Sequence, residues 1–72
     1  MKVGEHVMLR WTNKAKGRTK NRIRENGKEG FIVLVSHEQV RCLEHRPAFL
    51  LESVETAWRG WLPCEEVENE SR

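Results

Sequence analysis

The sequence predicts an all-β domain, a small barrel of five short strands, and three features of the chain lead to this prediction. Its apolar residues come in short runs that alternate with polar residues or are rich in β-branched and aromatic side chains. Glycine, proline and polar turn residues separate these runs. The chain has only 72 residues, so its strands must curl over one another to cover their apolar faces.

The first two strands are predicted from different sequence patterns. Residues 5–11 alternate with period 2, and Val7, Leu9 and Trp11 are predicted to face inward. Residues 31–35 read Phe-Ile-Val-Leu-Val and are predicted to form a central strand, because a buried helix would need about twice that length.

The second half of the chain supplies the other strands. They are predicted at residues 40–43, 48–51 and 58–62. The first of them is expected to form a hairpin with strand 31–35, and Pro47 is expected to interrupt the chain before the next. A single 3₁₀ turn is predicted at residues 64–67. One domain therefore spans residues 1–68, with a frayed tail at 69–72.

A basic stretch is the main functional signal in the sequence. Six cations occupy consecutive even positions: Lys14, Lys16, Arg18, Lys20, Arg22 and Arg24. In an extended backbone alternate side chains share a face, so all six would form one row, whereas Gly17 would weaken a helix. Asn26-Gly27 is typical of a two-residue hairpin turn. The sequence therefore predicts a long basic first loop or β-ribbon at residues 12–29.

The charge distribution indicates an anionic partner. Residues 1–30 carry nine basic and three acidic side chains (+6), and residues 31–72 carry four basic and eight acidic ones (−4). A row of like charges repels itself, and a polyanion would relieve the repulsion. We expect phosphate contacts to a nucleic acid, with RNA or a single strand favoured. The acidic segment 65–70 could fold back on the ribbon or serve as a solubilising tail, and the sequence leaves both open.

Two other interpretations of the basic stretch remain. It could dock on an acidic protein surface, which would make the chain an interaction module, an accessory subunit or a small inhibitor of a nucleic-acid-processing machine. It could also be a solvated loop that serves only solubility.

The three tryptophans are expected to differ in exposure. Trp11 and Trp61 are predicted to fill the core, because the chain has two Phe and no Tyr. Trp58 is predicted to be the most exposed and to stack on bases, and its neighbour Arg59 is predicted to be a nucleic-acid-binding residue as well.

Other function classes find little support in the sequence. All eleven acidic residues are Glu, so there is no Ser-His-Asp triad, and no acid–base pair or phosphate loop is visible. We therefore expect no enzyme activity, no small-molecule substrate and no cofactor. Cys42, His45 and Cys64 could be drawn as metal ligands, but only one close pair is present, so no metal site is predicted.

The expected location is the cytoplasm, without a membrane partner. The two cysteines cannot form a disulfide framework, and the first residues contain no apolar segment of a secretory signal. The longest apolar run has five residues, far fewer than a membrane span requires.

Two segments resemble a known class of small barrels. Trp58-Arg59-Gly60-Trp61-Leu62-Pro63-Cys64-Glu65-Glu66-Val67-Glu68 resembles the end of SH3 and bacterial SH3-like domains, where an aromatic strand passes through a 3₁₀ turn into a Val strand. Val3-Gly4-Glu5-His6-Val7-Met8-Leu9-Arg10 is similar to the first strand of SH3-like, KOW-like and Tudor-like barrels. The resemblance implies a strongly bent five-stranded barrel with residues 12–29 as its long first loop. KOW-like barrels bind RNA or polymerase-associated proteins, which agrees with the basic loop. Peptide-binding SH3 domains have an acidic first loop and a Tyr-rich groove, which this chain lacks.

Overall fold

The structure is a computed structural model that describes residues 1–36, 41–42 and 46–70. The elements of this part of the chain are β1 (His6–Val7), β2 (Leu9–Trp11), α1 (Gly17–Asn26), β3 (Phe31–Val35), β4 (Arg41–Cys42), β5 (Arg46–Ser53), β6 (Arg59–Pro63), a 3₁₀ turn (Cys64–Glu66) and β7 (Val67–Asn69). The prediction of a mainly β fold is confirmed.

The described strands form two antiparallel sheets. In the larger sheet β5 pairs with β3 along one edge and with β6 along the other, β4 pairs with the first two residues of β5, and β3 also pairs with β1. The smaller sheet contains β2 and β7, with Trp11 opposite Val67. The chain crosses between the sheets three times: at Met8, through the segment that contains α1, and at the 3₁₀ turn. Within residues 1–36, 41–42 and 46–70 the two sheets are not closed into one barrel and the strands are not five in number, so this part of the fold prediction is wrong.

Several strand predictions hold and others fail. Strand 31–35 is observed with the predicted bounds, strand 58–62 is shifted by one residue, and the 3₁₀ turn follows Pro63 as expected. The predicted strand 5–11 is divided between the two sheets. The predicted hairpin is wrong because β4 pairs with β5. The turn of this hairpin is predicted at residues 36–39, of which 37–39 lie outside the described residues.

The boundaries of the later elements also differ from the prediction. Pro47 lies within β5 instead of interrupting the chain there. Asn69, the first residue of the predicted tail, is the last residue of β7 and is buried.

The apolar core lies between the two sheets and the helix. It contains Val7, Leu9, Ile23, Phe31, Val33, Phe49, Leu51, Leu62 and Val67. In β3 and in β5 the core residues occupy alternate positions, as the two-residue period of a strand requires. Ile23 is the one core residue of this set that α1 contributes, so a single isoleucine anchors the helix in the apolar interior.

The basic stretch forms the helix α1, so the predicted β-ribbon is wrong. Thr19, Ile23 and Asn26 are buried and lie at i, i+4 and i+7, the spacing of one helical face. Gly27 ends the helix, with its N–H donating to the carbonyl of Ile23 at 2.8 Å. A Cβ at Gly27 would come within 2.6 Å of that carbonyl oxygen, which explains why a glycine is needed at this position. The Asn26-Gly27 pair therefore marks the end of a helix and not the turn of a hairpin.

The C-terminal end of α1 is fixed to the turn between β5 and β6. The hydroxyl of Ser53 donates to the backbone oxygen of Asn26 at 2.6 Å, and the hydroxyl of Thr56 donates to its Oδ1 at 2.7 Å. The amide nitrogen of Asn26 donates to the carbonyl of Arg22. These contacts hold the helix in one orientation on the sheets.

Candidate nucleic-acid interface

The cations of α1 lie on both sides of its buried face. We call Lys20 and Arg24 the β2 flank, because Arg24 contacts Trp11 of β2. We call Arg18 and Arg22 the β6 flank, because Arg22 contacts Trp58 beside β6. At about 100° per residue the two flanks point roughly 160° apart around the helix axis. The six cations therefore do not form the single row that the extended backbone predicted.

Few carboxylates neutralise these cations. Among the described residues, the side chains of Lys14, Lys16, Arg18 and Lys20 form no ion pair. Arg22 approaches Glu25 only to 4.0 Å, and both side chains are well exposed. Such a surface pair contributes about 0.5 kcal/mol or less. The positive charge of the helix is therefore open to an external partner.

Each flank has one arginine held against a tryptophan. The guanidinium carbon of Arg24 lies 5.6 Å from the ring centroid of Trp11, and that of Arg22 lies 5.6 Å from the centroid of Trp58. Both distances are within the range of cation–π contacts. The Arg24 side chain also donates to the Oδ1 of Asn21 at 3.1 Å. These contacts restrict the two arginines before any partner binds.

The tryptophans are not exposed in the predicted order. Trp11 is 39% exposed, whereas Trp58 packs against the core with its ring 6.3 Å from Phe31 in an edge-to-face arrangement. Gly60 lies so close to the Trp58 ring that a Cβ there would come to 2.4 Å from it. Trp61 is half-buried. The prediction that Trp58 is the most exposed tryptophan is therefore wrong.

Arg59, the remaining predicted site residue, has a carboxylate partner within the protein. Its Nη2 donates to the Oε1 of Glu52 at 2.7 Å across the β5–β6 pair. This partner neutralises Arg59 more closely than any carboxylate neutralises the cations of α1.

Glu66 anchors the N-terminal end of α1, a role that no sequence pattern indicates. Its Oε1 accepts from the backbone N–H of Lys16 at 3.0 Å and from the hydroxyl of Thr19 at 2.7 Å. Its Oε2 accepts from Arg46 at 3.2 Å. A carboxylate is favourable here because the N-terminus of a helix is electropositive. No local signal identifies this contact, since Glu66 is 50 residues from Lys16 along the chain.

Burial and hydrogen bonding act in opposite directions on Glu66. Burial raises the pKa of its carboxyl group, but the Lys16 N–H, the Thr19 hydroxyl and Arg46 together outweigh that effect, so the pKa lies below its usual value. The hydrogen bond that Arg46 donates to Glu66 also raises the pKa of Arg46, and Glu65 contributes further to this rise. The network is therefore ionised at neutral pH.

The acidic C-terminal segment meets the basic half of the chain at separate points. Besides Glu66 at the helix N-terminus, Glu68 pairs with Arg10 at 2.7 Å and Glu65 pairs with Arg46. Neither Glu65 nor Glu68 contacts a cation of the two flanks. The segment thus fixes the helix without covering its charges.

Two small cavities adjoin this region. A cleft of about 110 Å³ lies between the start of α1 and β6, and its walls include Lys16, Arg18 and Trp61. A second cavity of about 270 Å³ lies beside Pro47 and Cys64. Both volumes are below the roughly 300 Å³ at which small-molecule sites begin.

The possible metal ligands cannot be placed together. His45 lies outside the described residues, as does the side chain of Cys42. Within the part of the chain that is described, no group of three His, Cys, Asp or Glu side chains is arranged to hold a metal ion. None of the described helices has the length and apolar character needed to cross a membrane.

Comparisons with known proteins identify no relative. No family model, no curated protein and no solved structure matches this chain. The functional argument therefore depends on the site itself.

Proposed function

We propose that this chain is a small non-catalytic nucleic-acid-binding protein that contacts phosphates through the two flanks of α1. The observation that carries the proposal is the set of cations around one short helix with a single carboxylate at 4.0 Å among the described residues. Folding alone does not favour such a cluster, because like charges around a helix repel one another. Phosphates would relieve this repulsion and release counterions.

The rigid attachment of α1 supports the same function. Glu66 holds one end of the helix, and Asn26 holds the other through Ser53 and Thr56. A partner that meets a helix already held in place loses less conformational freedom on binding. The flanks are therefore suited to a partner with regularly placed charges.

The SH3-like resemblance remains part of the proposal. It is supported by β6, the 3₁₀ turn after Pro63 and the Val67 strand, which follow one another as the resemblance implies. The chain departs from it at residues 17–26, where a helix takes the place of the long first loop.

Binding to mixed-sequence oligonucleotides across a salt series tests the proposed function. Fluorescence anisotropy is measured with labelled single-stranded RNA, single-stranded DNA and duplex DNA between about 50 and 200 mM salt. Four contacts from the flanks predict a log–log slope of about −3 to −4, at roughly 0.7 to 0.9 per contact. A flat salt response with every nucleic acid contradicts the proposal and favours docking on an acidic protein surface.

Variants that each remove one positive charge distinguish the effect of the flank cations on binding from the effect of the net charge. Arg18→Gln and Lys20→Gln remove one cation from each flank, and each is expected to reduce the magnitude of the slope by about 1. Arg10→Gln changes the net charge equally at an arginine that already pairs with Glu68, so its slope should stay close to that of the wild type. Equal losses in all three variants would contradict a role for the flanks.

A further inference from the structure

We propose that α1 docks in the major groove of double-stranded B-form DNA, with its outer ridge toward the base pairs and its two flanks toward the phosphates of the two strands. This inference rests on the proposed function and names the class of nucleic acid. The outer ridge is defined as Gly17 and Asn21, which lie within about 30° of the direction opposite the buried face at 100° per residue.

The positions of the cations fit two rows of phosphates. Lys20 and Arg24 lie about 50–90° to one side of the outer ridge, and Arg18 and Arg22 lie about 70–115° to the other. A groove in duplex DNA has a phosphate backbone along each edge. With the ridge in the groove, each flank faces one backbone, so both flanks are neutralised by the same partner.

The dimensions of the helix agree with this placement. An α-helix with its side chains is about 10–12 Å in diameter, and the major groove of B-DNA is about 12 Å wide. The ten residues of α1 give it a length of roughly 15 Å. Gly17 and Asn21 are exposed, and a Cβ added at Gly17 would meet no atom within 4 Å. The outer ridge therefore has no side chain at Gly17 and is open to solvent.

Other nucleic acids fit the same helix less well. A single strand has one backbone, which can neutralise one flank and leaves the other exposed. Double-stranded RNA has a deep and narrow major groove that protein side chains do not read. The helical geometry of residues 17–26 thus removes the reason for favouring a single strand, which depended on an extended row of cations.

The ridge and its border also carry groups that can contact base edges. Asn21 is of the type that pairs with adenine in the major groove, and Glu25, between the ridge and Arg22, is of the type that accepts from the amino group of cytosine. Phosphate contacts would hold the helix in the groove, and these two side chains would supply the sequence preference.

A charge-neutral change on the ridge tests the inference. Gly17→Leu adds bulk where the structure shows open space, and Gly17→Ala is its matched control with similar helix propensity. Binding of both variants and the wild type is measured by anisotropy at 100 mM salt with three probes. The probes are a 20-base-pair mixed-sequence DNA duplex, one of its single strands and the RNA duplex of the same sequence. Circular dichroism confirms that both variants keep the wild-type fold.

The expected pattern has two parts. Wild type and Gly17→Ala bind the DNA duplex at least 10-fold more tightly than the other probes, and Gly17→Leu loses at least 10-fold on the DNA duplex alone. Equal or tighter binding of the single strand or the RNA duplex overturns the inference, and so does unchanged duplex binding by Gly17→Leu. In these cases the proposed function stands. Failure of every probe to bind overturns both, and the comparison of wild-type probes decides the question even if a variant does not fold.

Discussion

Replacing Glu66 by glutamine tests how the basic helix is held. The carboxylate is buried, with 3% of the residue exposed, and it accepts hydrogen bonds from the Lys16 N–H, the Thr19 hydroxyl and Arg46. Glutamine has nearly the same shape and keeps one carbonyl oxygen, but it removes the negative charge and introduces an NH₂ group. The change therefore isolates the charge of this network from its packing.

The expected loss follows from the difference between charged and neutral hydrogen bonds. A hydrogen bond to a charged group contributes about 1.5–3 kcal/mol and a neutral one about 0.5–1.5 kcal/mol, so Glu66→Gln should lower the free energy of unfolding by about 1–2 kcal/mol. In a domain of this size that corresponds to a decrease in Tm of roughly 5–15 °C. Chemical denaturation followed by circular dichroism at pH 7 measures the loss.

The stability that the Glu66 charge contributes depends on pH, and the direction follows from its lowered pKa. Because the pKa of Glu66 is lower in the folded state than its usual value, its charge stabilises the fold fully above the unfolded pKa of about 4.5. This stabilisation is lost as the pH falls through the folded pKa. The difference in stability between wild type and Glu66→Gln should therefore be constant from about pH 5.5 to 7 and shrink below about pH 4.5.

Glu65 provides the matched control. It is the neighbouring glutamate and also contacts Arg46, but its side chain is 53% exposed. Glu65→Gln should change the stability by about 0.5 kcal/mol or less. Equal effects at the two positions, or a Glu66→Gln deficit that is unchanged at pH 3, would refute the role assigned to the buried carboxylate.

Two further predictions concern Gly60 and Cys64. Gly60→Ala should destabilise the fold by about 1–3 kcal/mol, because its Cβ would come to 2.4 Å from the Trp58 ring. Urea denaturation read by tryptophan fluorescence measures this, and wild-type stability would show that the ring has room to move. Burial raises the pKa of the Cys64 thiol to about 11, so its alkylation by iodoacetamide should be slow at pH 7 and accelerate up to about pH 11. The rate is measured in a Cys42→Ser background, and a plateau near pH 8.5 would contradict the assigned pKa.

The strands were predictable because their signals are local. The Phe-Ile-Val-Leu-Val run of β3 and the Val7 and Leu9 alternation follow directly from the period of a strand. The proline after β6 also marks the 3₁₀ turn correctly. The pairing of the strands was harder to predict, because β5 accepts partners on both edges and no short-range pattern specifies β4 as a neighbour of β5 rather than of β3.

The helix was missed because its determinants are distant or weak. Its buried face contains one apolar residue, Ile23, beside Thr19 and Asn26, so the sequence shows hardly any amphipathic pattern. Its N-terminus is satisfied by Glu66 rather than by a neighbouring side chain. The even spacing of the cations fits an extended chain equally well, and only tertiary contacts decide between the two conformations.

The exposure of the tryptophans was predicted incorrectly because the helix at residues 17–26 was not predicted. Once residues 17–26 form a helix, Trp11 and Trp58 lie beside its two flanks and contact Arg24 and Arg22. Trp58 is enclosed by Phe31 and Gly60, which no feature of its immediate sequence indicates. The charge pattern thus identified the cations that α1 carries, whereas it did not predict their arrangement around a helix; their role in binding stays a prediction.

An NMR titration tests the central claim most directly. Amide and side-chain resonances of the isotopically labelled protein are followed while a mixed-sequence DNA duplex is added at low salt. The account predicts that the largest shift changes occur at residues 14–25, including the side-chain nitrogens of both flanks, and that β4, β5 and β7 change little. Shift changes centred on those strands, or none at saturating duplex, single-stranded DNA and RNA, would contradict it.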